Sequence, residues 1–208
     1  MTSRFLFGEK AMRVTARRWL IVAIALSSTP AWGQSVTFAE LEGLVIEAEI
    51  VREQVNRREG RTFPVKVQQN WTVTIEPERT IKAAVNVTAR GARRTRETEP
   101  LSSVSTLDQP RKVASQGGGE AVWTFTDGVL AFIRTYPSGA RRIGFSFARA
   151  PDGLTCTASF AFARENGTGA IRLDSRFSGR DTTIVSAKQL SSSCRVARTP
   201  GSSEKGRP

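Results

Sequence analysis

The chain has 208 residues, enough for one domain with a substantial core, and carries 31 basic and 19 acidic residues for a formal net charge of +12. It contains two cysteines and no histidine. The lack of histidine excludes Ser-His-Asp and Cys-His mechanisms, histidine general bases and most catalytic zinc sites. We therefore expect a non-enzymatic protein with no cofactor, no metal site and no catalytic residues.

The first 33 residues have the organisation of a secretory signal peptide. Basic residues precede a short apolar run over residues 19–26, and a small-x-small sequence ends at Gly33. Cleavage after Gly33 is predicted, from a start at Met1 or Met12, with export to the periplasm or the extracellular space. The apolar run is too short to span a bilayer, so no integral membrane protein is expected after cleavage.

The two cysteines, Cys156 and Cys194, lie beyond the predicted cleavage site. In an exported protein this pair predicts one structural disulfide. On the chain-entropy model such a bond is worth roughly 3–4 kcal/mol of stability.

The clearest pattern in the chain is strict alternation over residues 63–75. Side chains alternate faces along a strand, so this segment is predicted to be a long amphipathic β-strand. Gln69 is the only polar residue on its apolar face, which comprises Phe63, Val65, Val67, Gln69, Trp71, Val73 and Ile75.

The preceding segment fits either a helix or a strand over residues 37–52. Thr37 and Glu40 form a capping-box pattern, but residues 44–57 alternate, and we predict a strand there because residues 63–75 need a partner. Ile50 and Val51 are both apolar, which predicts a change of the buried face and a β-bulge at that point. Residues 58–60 are predicted to form a three-residue hairpin loop.

Residues 81–89 continue the sheet, with Ile81 predicted opposite Ile75 and Val85 opposite Trp71. Residues 91–119 break the pattern and are predicted to form a long loop, tethered to the body by Leu101, Val104 and Leu107.

From residue 120 onward short turns define a predicted meander. Asp127-Gly128 places Phe125 opposite Leu130 and Trp123 opposite Phe132. A four-residue turn at residues 137–140 places Phe132 opposite Phe145 and Leu130 opposite Phe147. Asn166-Gly167 places Phe162 opposite Ile171.

The predicted fold is therefore all-β, an antiparallel meander of about eight or nine strands. We expect an up-and-down barrel of lipocalin-like architecture or a bent sheet, with a two-sheet β-sandwich as the alternative. The segment Trp123–Leu130 resembles hairpins common in lipocalin-like proteins, but its eight residues identify no family. Residues 34–197 form the predicted domain, and residues 198–208 a disordered tail.

The aromatic-rich inner face is the first candidate site. Such a face packs as a solid core or lines a cavity for a small apolar ligand, since an eight-stranded barrel is just wide enough for either. The candidate ligand-binding residues are Gln69, Trp71, Trp123, Phe132 and Phe145.

The second candidate site is a basic cluster formed by Arg90, Arg93, Arg94 and Arg96. It predicts an interaction protein of the cell envelope that contacts anionic polymer or lipid headgroups. The alternative is a solvated loop in an arginine-rich surface. Nucleic acid is not expected as a partner, because the aromatic residues that would stack on bases belong to the buried face.

Carboxylate pairs provide a third, enzymatic hypothesis. Glu47 and Glu49 share one face of the first strand, and Glu97 and Glu99 share the long loop. Paired carboxylates support glycosidase-like hydrolysis. The interpretation we favour is that Glu47 and Glu49 line the solvated face of an amphipathic strand, and that Glu97 and Glu99 offset their arginine neighbours.

Overall fold

The computed structural model describes residues 35–91, 95–97, 101–113, 119–136, 139–164, 171–172 and 182–198. Most of them lie in twelve strands: β1 (Leu44–Arg58), β2 (Arg61–Glu76), β3 (Thr80–Gly91), β4 (Thr95–Glu97), β5 (Leu101–Thr106), β6 (Arg111–Lys112), β7 (Glu120–Thr126), β8 (Val129–Tyr136), β9 (Gly139–Ala150), β10 (Gly153–Arg164), β11 (Ile171–Arg172) and β12 (Thr183–Arg198). A short 3₁₀ helix, Phe38–Leu41, precedes β1. The predicted signal peptide and the turn at Asn166-Gly167 lie outside the described residues, as does the predicted tail from residue 199 onward.

Two antiparallel sheets face each other across one hydrophobic core. The first has the order β11-β12-β1-β2-β3-β4, with β5 also paired to β3, and the second has the order β10-β9-β8-β7-β6. Among the described strands no backbone ladder joins the two sheets. The predicted antiparallel all-β fold is confirmed, and its form is an open, bent two-sheet arrangement, not a closed barrel. The described residues include no helix with the length and apolarity needed to cross a lipid bilayer.

Two hairpin registers are as predicted. Ile75 pairs with Ile81 and Trp71 with Val85 in the β2–β3 hairpin. In the β7–β8 hairpin Trp123 pairs with Phe132, next to a turn in which Asp127 and Gly128 both have positive φ, at 51° and 74°. That left-handed turn matches the twist of the flanking strands.

The predicted β8–β9 register is wrong by two residues. Phe132 pairs with Ile143, not Phe145, and Leu130 pairs with Phe145, not Phe147. The reason is the loop length, because β9 already begins at Gly139 and leaves two residues between the strands where four were predicted. An even shift preserves the inward face, so the aromatic side chains still enter the core.

The predicted change of the buried face in β1 is also wrong. The even residues remain inward along the whole strand, and Val51 lies outside the core cluster. The β1–β2 pairing is continuous from Val45 to Arg58, and the irregularities occur in the β1–β12 pairing. There the ladder skips Leu190 and Val185, so β12 and not β1 carries the extra residues.

The predicted long loop contains structure. Residues 91–119 include the short strands β4, β5 and β6, and Leu107 is buried, whereas Leu101 and Val104 are exposed. Ile171 pairs with Ile184 of β12 and not with Phe162, which places β11 in the first sheet.

Side chains join β10 to β12 where no backbone ladder does. The predicted Cys156–Cys194 disulfide is present, with Cα atoms 5.5 Å apart. Nearby, the Gln189 side-chain oxygen accepts a hydrogen bond from the Phe160 N–H at 2.6 Å, and the Ser192 hydroxyl donates to the Ala158 carbonyl at 2.7 Å. These contacts fix one edge of each sheet to the other.

The 3₁₀ helix closes one end of the core, which we call the capped end. Glu40 accepts hydrogen bonds from the Thr37 N–H and hydroxyl at 2.7 and 2.8 Å, and it pairs with Arg149 of β9 at 2.9 Å. The hydrogen bonds from Thr37, followed by the contact with Arg149, lower the pKa of Glu40 to about 2. The carboxylate is therefore charged at all but strongly acidic pH and holds the helix against the second sheet.

The disulfide should carry a large part of the stability, because the two sheets share no ladder at this edge. We expect the Cys156→Ser/Cys194→Ser double variant to lose about 3–4 kcal/mol of unfolding free energy in urea titrations. Adding reductant should lower the stability of the wild type to the same level and leave the double variant unchanged. Equal stability of the wild type and the double variant would contradict this assignment.

Candidate functional site

A cavity of about 650 Å³ lies between the two sheets. Its apolar wall comes from the inward odd residues of β2 and β3 and from aromatic residues of β7 and β8. Among the wall residues are Phe63, Val65, Val67, Trp71, Val85, Val87, Trp123 and Phe132. The volume is within the range of small-molecule sites, which are concave and mostly apolar.

The cavity occupies the half of the core that is far from the 3₁₀ helix. At the capped end Leu41, Ile75, Ile81 and Leu130 have no exposed surface, and none of them lines the cavity. The lining instead reaches the opposite ends of the strands, including Arg58 at the end of β1 and Gly91 at the end of β3. We call this second end the arginine end.

Four aromatic residues form the centre of the interior. The ring of Trp123 lies 5.2 Å from that of Phe132 and 6.3 Å from those of Trp71 and Phe145. Trp71, Trp123 and Phe132 line the cavity, whereas Phe145 supports the two tryptophans from behind. The indole N–H groups of Trp71 and Trp123 are buried and find no acceptor among the described residues.

A row of polar side chains enters the cavity from β1. Arg52, Gln54 and Asn56 occupy successive inward positions, are between 4% and 5% exposed, and line the cavity together with Gln69 of β2. Gln54 donates from Nε2 to the Asn56 Oδ1 at 3.0 Å. The predicted ligand-binding residue Gln69 accepts a hydrogen bond from the Arg52 guanidinium.

The Arg52 guanidinium is buried, and its contacts among the described residues are neutral. Its Nε donates to the Gln54 Oε1 at 3.3 Å, its Nη1 donates to Gln69, and its Cζ lies 4.6 Å above the Phe160 ring. No carboxylate among the described residues forms an ion pair with it. Burial, followed by the charge of Arg141, lowers the pKa of Arg52 to about 9, and the side chain remains a cation at neutral pH.

Further arginines surround the arginine end. Arg58, Arg96, Arg134 and Arg141 all line the cavity, and the part of the lining that the structure describes includes no aspartate or glutamate. Tyr136 lies between two of them, with its ring 4.9 Å from the Arg134 Cζ and 6.0 Å from the Arg141 Cζ. The interior is thus apolar at its centre and cationic at one end.

Sequence reasoning missed Arg52, Gln54 and Asn56 because it assigned the β1–β2 loop three residues. The turn has two, Glu59 and Gly60, with φ values of 50° and 75°, and Arg58 pairs with Arg61. A change of one residue in loop length inverts the face of every side chain in the strand. The usable signal was the glycine at the second position of a two-residue turn.

The predicted basic cluster is divided between two faces. Arg90 is exposed on the outer face of β3, whereas Arg96 pairs with the inward Ala89 and lines the cavity. Arg93 and Arg94 lie outside the described residues.

The carboxylate pair on β1 faces outward. Glu47 forms an ion pair with Arg195, and Glu49 accepts a hydrogen bond from the Gln68 amide at 2.7 Å. Both border a smaller depression of about 340 Å³ on the outer surface. Glu97 is exposed on β4, and Glu99 lies outside the described residues. The described residues contain no group of three or more His, Cys, Asp or Glu side chains that could hold a metal ion.

No family model matches the sequence, and neither the curated proteins nor the solved structures include a significant match. The inference of function therefore rests on the cavity.

The burial of Arg52 has a desolvation cost as well as a hydrogen-bond gain, so its removal should change stability little. We expect Arg52→Met to change the unfolding free energy of the ligand-free protein by less than about 2 kcal/mol in either direction, because the removed desolvation penalty offsets the hydrogen bonds lost by Gln54 and Gln69. Urea titration measures this, and Phe145→Ala, which should lose about 3–5 kcal/mol, shows that the assay resolves core losses. A loss above about 2 kcal/mol in Arg52→Met would show that the arginine is retained for stability.

Proposed function

We propose that this chain is an exported, non-enzymatic binding protein that holds a small apolar ligand in the cavity between its two sheets. The observation that carries the proposal is an apolar cavity of about 650 Å³ next to a few convergent polar groups. Apolar walls supply affinity for a ligand, and the polar groups fix its orientation.

The chemistry of the lining favours binding over catalysis. The chain has no histidine, both cysteines are in the disulfide, and the described lining contains no carboxylate. General acid–base catalysis at neutral pH relies mainly on those groups. The lining offers instead aromatic rings, aliphatic side chains, amides and arginines.

An open cavity lowers the stability of a fold, and a ligand-binding function explains why this one is present. A packed core has few voids larger than a water molecule, and each cavity in a core lowers stability. Here several side chains at the capped end are fully buried, while the half lined by Trp71 and Trp123 is left open. A sequence that packs one half so closely can also pack the other, so the open half is best understood as a ligand site.

Filling the cavity should abolish binding. Val85 lines the cavity, whereas its neighbour Ala84 lies on the opposite face of β3. With N-phenyl-1-naphthylamine as a neutral fluorescent probe, we expect saturable binding to the wild type and to Ala84→Trp. Val85→Trp should bind at least about tenfold more weakly, because the indole takes the place of the ligand.

Circular dichroism confirms that both variants are folded, since overpacking can cost about 1–3 kcal/mol. Equal probe binding by both variants, or no saturable binding to any of them, would refute the cavity as a ligand site.

Export has its own test, the intact mass of protein purified from cells that express the whole reading frame. We expect a mature chain that begins at Gln34 and is two hydrogens lighter than the reduced chain, because the disulfide forms in an oxidising compartment. Native mass spectrometry of the same sample should show an additional bound species that denaturing conditions remove. A full-length chain with two free thiols would argue against export.

A further inference from the structure

We propose that the ligand is an acidic amphiphile, a single apolar chain ending in a carboxylate or phosphate, whose head is bound by Arg52 and whose chain lies against Trp71 and Trp123. This inference rests on the proposed binding function and specifies the ligand class. It joins three observations: a buried cation that pairs with no described carboxylate, an apolar wall beside it, and no acidic residue in the described part of the lining.

The first step concerns the buried charge. Transferring a guanidinium from water into a protein interior costs several kcal/mol unless an anion compensates. Arg52 is 4% exposed, and its partners among the described residues are two neutral amide oxygens and the face of an aromatic ring. These groups satisfy part of its hydrogen-bonding capacity but none of its charge. An anion in the cavity would supply the missing counter-charge.

The second step concerns the hydrogen-bond donors. A guanidinium carries five N–H donors in a planar fork that matches the geometry of a carboxylate or phosphate. The Gln54 and Gln69 side-chain oxygens accept from Nε and Nη1, which fixes the plane of the fork and leaves the Nη2 donors without a partner among the described residues. Arg52 is therefore oriented before a ligand arrives, and little side-chain entropy is lost on binding.

The third step concerns selection by charge. Among the described residues the lining contains five arginines, Arg52, Arg58, Arg96, Arg134 and Arg141, and no acidic residue. A cationic ligand would face like charges in a low-dielectric interior, which costs several kcal/mol, and a neutral one would leave Arg52 uncompensated. Arg141, which also lines the cavity, adds a second positive charge that acts on Arg52 and attracts anions towards the site.

The fourth step concerns the orientation of the ligand along the cavity. Arg52, Gln54 and Asn56 follow one another along β1 towards the arginine end, whereas Trp71 pairs with Ala48, on the side of the capped end. An acidic head at Arg52 therefore places an attached apolar chain against the tryptophans, deeper in the interior.

The test compares ligands with the same twelve-carbon chain and different heads. The purified protein, stripped of co-purified ligand on a hydrophobic resin, is titrated calorimetrically with dodecanoate, dodecyl phosphate, dodecanol and dodecyltrimethylammonium, each below its micelle-forming concentration. We expect the two anions to bind at least about tenfold more tightly than dodecanol, since a hydrogen bond to a charged group is worth more than a neutral one. The cation should bind most weakly. The ratio of the dissociation constants of dodecanoate and dodecyl phosphate distinguishes a fatty acid from a lipid phosphate as the ligand.

Three variants locate the anion. Arg52→Met should lower dodecanoate affinity at least about tenfold and change dodecanol affinity less than about threefold, and Arg52→Lys should retain part of the preference for the acid. Arg90→Met, on the exposed outer face, is the matched control and should bind all four ligands like the wild type. Raising the salt concentration should weaken dodecanoate binding only slightly, because buried charge pairs are poorly screened.

Four outcomes of these titrations would contradict different parts of the proposal. If dodecanol binds as tightly as dodecanoate, the acidic head is refuted while the cavity remains a site for apolar ligands. If Arg52→Met weakens both ligands equally, Arg52 shapes the wall and does not bind the head. If Arg90→Met removes binding and Arg52→Met does not, the anion binds on the outer surface. If none of the four ligands binds, the proposed binding function itself fails.

Discussion

The continuous antiparallel pairing of β1 with β2 determines which side chains enter the interior. The two strands are joined by a two-residue turn, and the register runs without a break from Arg58 paired with Arg61 to Val45 paired with Thr74. Because side chains alternate strictly along a strand, this register sends Ile46, Ala48 and Ile50 inward and then continues with Arg52, Gln54 and Asn56. β1 has no bulge that would turn these polar side chains outward, because the extra residues in the β1–β12 pairing belong to β12.

That constraint divides the interior into two chemically different halves. Towards the capped end the even residues of β1 are apolar and meet Val73, Ile75 and Ile81 in a closely packed core. Towards the arginine end they are polar, and the space beside them is a cavity and not a core. The stability of the fold is concentrated in the first half, where the disulfide and the 3₁₀ helix also reinforce the structure, and this leaves the second half free to carry a costly charge.

The predictable part of the structure was the part governed by alternation and by turns with strong sequence signals. Asp127-Gly128 and the turn before Ile81 place aromatic and aliphatic residues opposite each other as expected. Two register errors were errors of loop length, whereas the predicted pairing of Ile171 with Phe162 was wrong because β11 pairs with β12. At residues 137–140 the error was even and preserved the inward face, whereas at residues 58–60 it was odd and inverted the face predicted for the second half of β1. The second error hid the polar half of the site, although Gln69 and the aromatic residues had been recognised.

The deeper reason is that a hydrophobic pattern identifies a core and not a binding site. The predicted change of the buried face at Ile50–Val51 follows the usual rule that apolar residues are buried and polar ones exposed. The structure departs from it by burying Arg52 in the interior, while Val51 is buried outside the core cluster. Sequences depart from these local rules most often at functional sites, where a chemically useful side chain is kept although it lowers stability. The burial of Arg52, Gln54 and Asn56 beside the cavity therefore supports the proposal that the interior holds a ligand, since a chain selected for stability alone would place these polar side chains in water.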